Sequence, residues 1–164
     1  MSNPNKVSLY QYPIVSLTIP NSILKTYAEA LGSVEEGEET YSKKSLINRK
    51  LGLKMFGSYF NILEESDEEG IDFRYKDLGI KVHNRQVSDY RPIFGSMFTT
   101  KLYKSRSKLD VIHVVLLTYI PQVDIIGWIT NKNIKNGEII TNLDLKSVQE
   151  HPVLSVIDNK RFYI

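Results

Sequence analysis

The segment from Asp72 to Arg85 (Asp72-Phe-Arg-Tyr-Lys-Asp-Leu-Gly-Ile-Lys-Val-His-Asn-Arg85) carries an acid, then an imidazole and a guanidinium two residues apart. Ile71, Phe73 and Tyr75 alternate with Asp72, Arg74 and Lys76, which is the period of a half-buried strand. Asp77, Leu78 and Gly79 read as a turn, and Ile80 to Asn84 as the returning strand. Because side chains alternate along a strand, His83 and Arg85 point to one face. Asp72 and His83 are candidate ligands for a divalent ion, and an arginine at position 85 can clamp a phosphate bidentately. The chemistry expected of Asp72, His83 and Arg85 is phosphodiester handling.

The elements that must position this trio follow from hydrophobic periodicity. Val15 to Ile19 reads as a short strand ended by Pro20, and Asn21 as the cap of a helix through Leu24, Tyr27 and Leu31. Glu35, Glu36, Glu38 and Glu39 around Gly37 mark a solvated loop. A second helix is expected from Ser42 toward Glu64, with Ile47, Leu51, Met55, Tyr59 and Leu63 recurring every four residues. Gly52 and Gly57 inside it suit a close approach of another backbone or a break in the helix. Glu64 to Glu69 reads as an acidic turn closed by Gly70.

Farther on, Gln86 to Gly95 reads as a loop containing Tyr90 and Arg91. Val111 to Tyr119 is almost continuously apolar, as expected of a strand covered on both faces, and Val123 to Thr130 is the next strand. Thr130 or Asn131 is a candidate cap for a short helix through Ile134, and Phe162 to Ile164 reads as an edge strand. His113 is expected to be a buried imidazole bonded to backbone, Trp128 a core residue, and Asp77 a turn former. Helices feeding a sheet argue for an α+β or mixed α/β fold in one domain, 1–164.

Composition narrows the function classes. The 164-residue chain has no cysteine, which removes disulfide scaffolds, thiolate zinc sites and cysteine nucleophiles. A net charge of +2 is too small to indicate nucleic acid, so a contact must come from local patches. Two such patches stand out: Lys43, Lys44, Arg49 and Lys50 on the second helix, and Lys101, Lys104, Arg106 and Lys108 before the long strand. No Walker loop or dinucleotide-binding turn is present. No apolar run spans a bilayer and no signal-peptide core opens the chain. The expected location is therefore cytoplasmic, or a virion if the chain is phage-encoded.

From about residue 42 to 134 the order of elements resembles phage-type members of the PD-(D/E)XK nuclease superfamily, the restriction-endonuclease-like fold. The corresponding stretches are Phe56-Gly57-Ser58 in the helix, Ile71-Asp72-Phe73, Val82-His83-Asn84-Arg85, Val111 to Tyr119, and Ile126-Gly127-Trp128-Ile129. The resemblance implies a central mixed sheet flanked by helices, with Asp72 at the family's metal-binding acid. Ser58 stands where the family has a helix glutamate, His83 where it has a carboxylate, and Arg85 where it has a lysine. An arginine does not readily give up a proton, so Arg85 substitutes poorly for a lysine that activates water. The expected function is a catalytically lapsed, nucleic-acid-binding or virion-associated protein. The alternative is an active endonuclease acting on DNA through Asp72, His83 and Arg85, with Mg²⁺ or Mn²⁺ as its metal. DNA, protein partners or further copies of the chain are the expected partners, and a membrane is not.

Overall fold

The computed structural model describes residues 15–35, 37, 40–61, 63–86, 99–135, 137, 139–141 and 144–155. The expected sites at Tyr90 and Arg91, the acidic residues 36, 38 and 39, and the strand at Phe162 to Ile164 lie outside the described residues. Six strands form one sheet: β1 (Val15–Thr18), β2 (Glu64–Glu65), β3 (Phe73–Tyr75), β4 (Leu78–Gln86), β6 (Asp110–Tyr119) and β7 (Gln122–Thr130). Their spatial order is β1-β7-β6-β4-β3-β2, and every neighbouring pair is antiparallel except β4 and β6. A separate pair joins β5 (Thr99–Lys101) to β8 (Ile139–Thr141). With α1 (Asn21–Gly32) and α2 (Thr40–Tyr59), the architecture is α+β around a mixed sheet.

The continuous apolar run of β6 is explained by cover on both faces. Val114 and Leu116 join Ile80, Val82, Leu51 and Phe56 in the core under the helices. Val115 and Leu117 join Leu102, Ile126 and Ile140 in a second core on the opposite face. A bulge between Val115 and Leu116 leaves Ile126 as the extra residue of β7. That extra residue turns Ile125 and Trp128 to the first core while Ile126 and Ile129 fill the second. Trp128 is buried as expected, and its indole N–H donates to the carbonyl of Ser147 at 2.8 Å.

Glycines set how closely α2 approaches the sheet. A Cβ on Gly52 would lie 2.7 Å from Cβ of Asn84, and one on Gly57 would lie 3.0 Å from the Phe73 ring. Both serve close approach within an unbroken helix. That helix stops at Tyr59, well short of Glu64, and two-residue β2 forms where the acidic turn was expected. Helix α1 begins at Asn21, its expected cap, so the cap lies one residue earlier: Pro20 occupies that position, and its carbonyl accepts the N–H groups of Ile23 and Leu24 at 3.0 Å. Pro20 can do this because the cap position needs extended backbone and no N–H donor. After β7, residues Asn131–Asn133 make a single 3-10 turn instead of a longer helix.

Candidate functional site

Strand β3 is shorter than its alternation suggested, and this places Asp72 just ahead of it. The Asp72 N–H still bonds the Ile80 carbonyl at 2.8 Å, but Gly70, at φ +83°, turns the preceding chain away. The next N–H on β4, that of Val82, would then lack a backbone acceptor. Asp72 supplies one itself: its Oδ2 accepts from Val82 N at 2.7 Å. The same carboxylate accepts a short hydrogen bond from the Arg49 guanidinium through Oδ1, and Lys81 Nζ lies 3.8 Å from Oδ2. Asp72 is thus a nearly buried acid held between α2 and β4 by two cations and a backbone donor.

His83 faces the opposite side of β4 from Val82 and meets His113 on the parallel strand β6. Nε2 of His83 lies 2.8 Å from Nδ1 of His113. Their ring centroids are 5.1 Å apart, so the rings meet edge to edge through that hydrogen bond. Nε2 of His113 lies 2.9 Å from Oδ1 of Asn131. The Asn131 amide is oriented by the backbone of Ser105, whose N–H donates to Oδ1 at 2.8 Å and whose carbonyl accepts from Nδ2 at 3.0 Å.

This orientation dictates the proton positions. Asn131 Oδ1 accepts, so His113 carries its proton on Nε2, and its Nδ1 accepts from Nε2–H of His83. The relay is complete with both imidazoles neutral. Burial drives the His83 pKa down to about 3, and His113, Lys81 and Arg49 push it the same way. Burial also lowers the pKa of His113, against the hydrogen bond it donates to Asn131. The expected backbone partner of His113 is replaced by two side chains, because ladder bonds to β4 and β7 already occupy its own strand's backbone.

A second polar network lies on the helix side of β4. Asn84 Nδ2 donates to the Asn48 carbonyl at 2.7 Å, and Thr118 Oγ1 donates to Asn84 Oδ1 at 2.6 Å. The Tyr27 hydroxyl bonds Asn48 Oδ1 and, at 3.1 Å, Gln86 Oε1. Asn84 therefore locks α2 to the sheet at the point where Gly52 permits contact.

Each of the three residues expected to share one centre has its own contacts, although the charge of Asp72 still reaches His113. Asp72 pairs with Arg49 and Lys81, His83 pairs with His113, and exposed Arg85 lies farther along the His83 face of β4. Both Asp72 oxygens already accept from N–H groups, and a divalent ion there would face Arg49 and Lys81. The donor set does not fit a metal in this arrangement. Among the described residues, no group of three or more acids and histidines is placed to hold one.

The two basic patches fall on opposite faces of the sheet. Lys43, Lys44 and Lys50 are exposed on α2, while Arg49 turns to Asp72. Lys101 lies on β5, and Lys104, Arg106 and Lys108 follow it on the face of the second core. Their segment packs beside the turn that precedes Asp72: a Cβ on Gly70 would touch Ser105, and Ser107 Oγ donates to Glu68 at 2.7 Å. Lys81 was missed by spacing, although it precedes His83 by two residues and so shares its face. The bridging roles of Asn48, Asn84 and Asn131 were missed too, because their partners lie far away in the sequence. No family model, no curated protein and no solved structure matches this chain.

Proposed function

We propose that this chain is a nucleic-acid-binding protein on a restriction-endonuclease-like scaffold that does not cut its ligand. Support for the scaffold comes from the order α2, Asp72, β4 with His83-Asn84-Arg85, long β6, then β7 with Gly127-Trp128-Ile129. The observation that carries the loss of cleavage is the engagement of Asp72 by Arg49, Lys81 and the Val82 N–H. Hydrolysis assisted by a metal needs carboxylate oxygens turned to the ion. Here the acid serves as an anchor for cations and for a strand edge.

The nucleic acid runs along the sheet edge beside Asp72. Arg85 on β4 and the segment bearing Lys104, Arg106 and Lys108 supply phosphate contacts there, with Lys101 at the start of that segment. Such contacts give salt-dependent binding with little sequence preference. Fluorescence anisotropy with duplex and single-stranded DNA tests this reading. The combined Lys104→Glu, Arg106→Glu and Lys108→Glu variant should bind at least about tenfold more weakly, with a shallower salt slope. Unchanged affinity and slope would remove the proposed path.

A further inference from the structure

We infer that the seam between α1 and α2 is a docking groove for an amphipathic acidic helix of a partner protein. Two hollows, of about 550 and 350 Å³, follow this seam and share Ala30 and Ile47. Their lining is largely aliphatic: Ile23 and Ala30 from α1, Val34 just beyond its end, and Leu46, Ile47 and Leu51 from α2. Leu46 is 51% exposed and stands at the rim of the second hollow. The 12 residues of α1 span about 18 Å, the length of three helical turns. A third helix laid in such a groove inserts apolar side chains at i, i+3 or i+4, and i+7.

Charge selects the flanks of the occupant. Lys43, Lys50 and Lys54 line the seam from α2, at a spacing that stacks them along one face. Helix α2 carries Lys43, Lys44, Arg49, Lys50 and Lys54 and no acid at all. The opposite wall offers hydroxyls that are already used: Thr26 donates to the Ser22 carbonyl and Ser33 to that of Glu29. Among the described residues, Glu35, at one end, is the only acid lining either hollow. Packing α2 against α2 of a second copy would set cation against cation, which disfavours self-association through this face. Single-stranded nucleic acid is also disfavoured. It needs exposed rings for stacking, whereas the aromatic residue in the seam, Tyr27, is buried with its hydroxyl bonded to Asn48 and Gln86. An aliphatic floor with lysine walls fits leucine-type anchors flanked by carboxylates.

The test uses the full chain and a labelled peptide of about 18 residues, long enough to form a helix. The peptide carries leucines at the anchor spacing and glutamates beside them; its control has lysines for the glutamates. Anisotropy should show saturable binding of the acidic peptide alone. The expected amide shifts fall on α1 and α2. Lys50→Glu with Lys54→Glu, and separately Ala30→Trp to fill the seam, should each weaken binding at least about tenfold. Unaltered thermal melting of both variants shows that they fold. The inference is overturned if both peptides bind alike, if neither binds, or if the variants bind as the parent does. Preferential binding of single-stranded DNA or anionic vesicles at the seam, lost in the same variants, also overturns it.

Discussion

Arg49 in the middle of α2 and Asp72 at the entrance to β3 form an ion pair that ties the long helix to the sheet edge. Asp72 is the more buried partner, and it also satisfies the Val82 N–H. Removing the acid therefore leaves more behind than removing the base. Asp72→Ala should destabilise the fold by about 2–4 kcal/mol, since it strands a backbone donor and two cations. Arg49→Ala should cost only about 1 kcal/mol, because the guanidinium is partly solvated and Lys81 remains. Urea unfolding of both single variants and the double variant gives the coupling directly. Equal costs for the two single changes would show that Asp72 acts only as an ion-pair partner.

The histidine relay makes stability depend on pH in a defined direction. The His83 pKa is lowered from 6.5 to about 3 in the folded chain. Below pH 6.5 the unfolded chain takes up a proton that the folded chain refuses, so stability falls as pH drops from 6.5 toward 3. Above 6.5 the slope from this group fades and is gone within about one pH unit. Between pH 6.5 and 5, before most carboxylates titrate, the loss attributable to His83 is about 2 kcal/mol. Chemical denaturation across that interval should show the fall, and His83→Gln should lessen it, leaving the part that buried His113 and His151 contribute. A parent protein with no slope between pH 6.5 and 5 would contradict the neutral relay.

Two glycine substitutions in the helices should behave in opposite ways. Gly52→Ala gains helix propensity of about 1 kcal/mol, but its methyl would sit 2.7 Å from Asn84 Cβ. Overpacking outweighs that gain, and the net loss should be about 1–3 kcal/mol. Gly32, the last residue of α1, has nothing within 4 Å of an added Cβ. Gly32→Ala should leave the melting temperature unchanged or raise it slightly. Thermal unfolding followed by circular dichroism compares the two.

What could be read from the sequence was what repeats locally. The unbroken apolar run of β6, the strand pair on either side of a turn at Asp77, the core role of Trp128 and the crowding at Gly52 and Gly57 all leave a mark within a few residues, although the turn falls at Lys76 and Asp77 and β4 already starts at Leu78. The partners of Asp72 do not, because Arg49 lies 23 positions away and reaches it only through the packing angle of α2. His113 illustrates the same limit. Its burial followed from its neighbours, but its partners His83 and Asn131 come from elements 30 and 18 residues away. The spacing of His83 and Arg85 correctly put them on one face of β4, yet only tertiary pairing directs His83 to His113 and Asp72 to two cations.

The most direct test of the account is a cleavage assay run beside a binding assay on the same protein. Supercoiled and single-stranded DNA are incubated with the parent chain and with Asp72→Asn, in Mg²⁺ and separately in Mn²⁺. The account predicts salt-sensitive binding with intact DNA in every lane. Cleavage by the parent chain that disappears in Asp72→Asn would contradict it, because the acid held by Arg49 and Lys81 would then be catalytic.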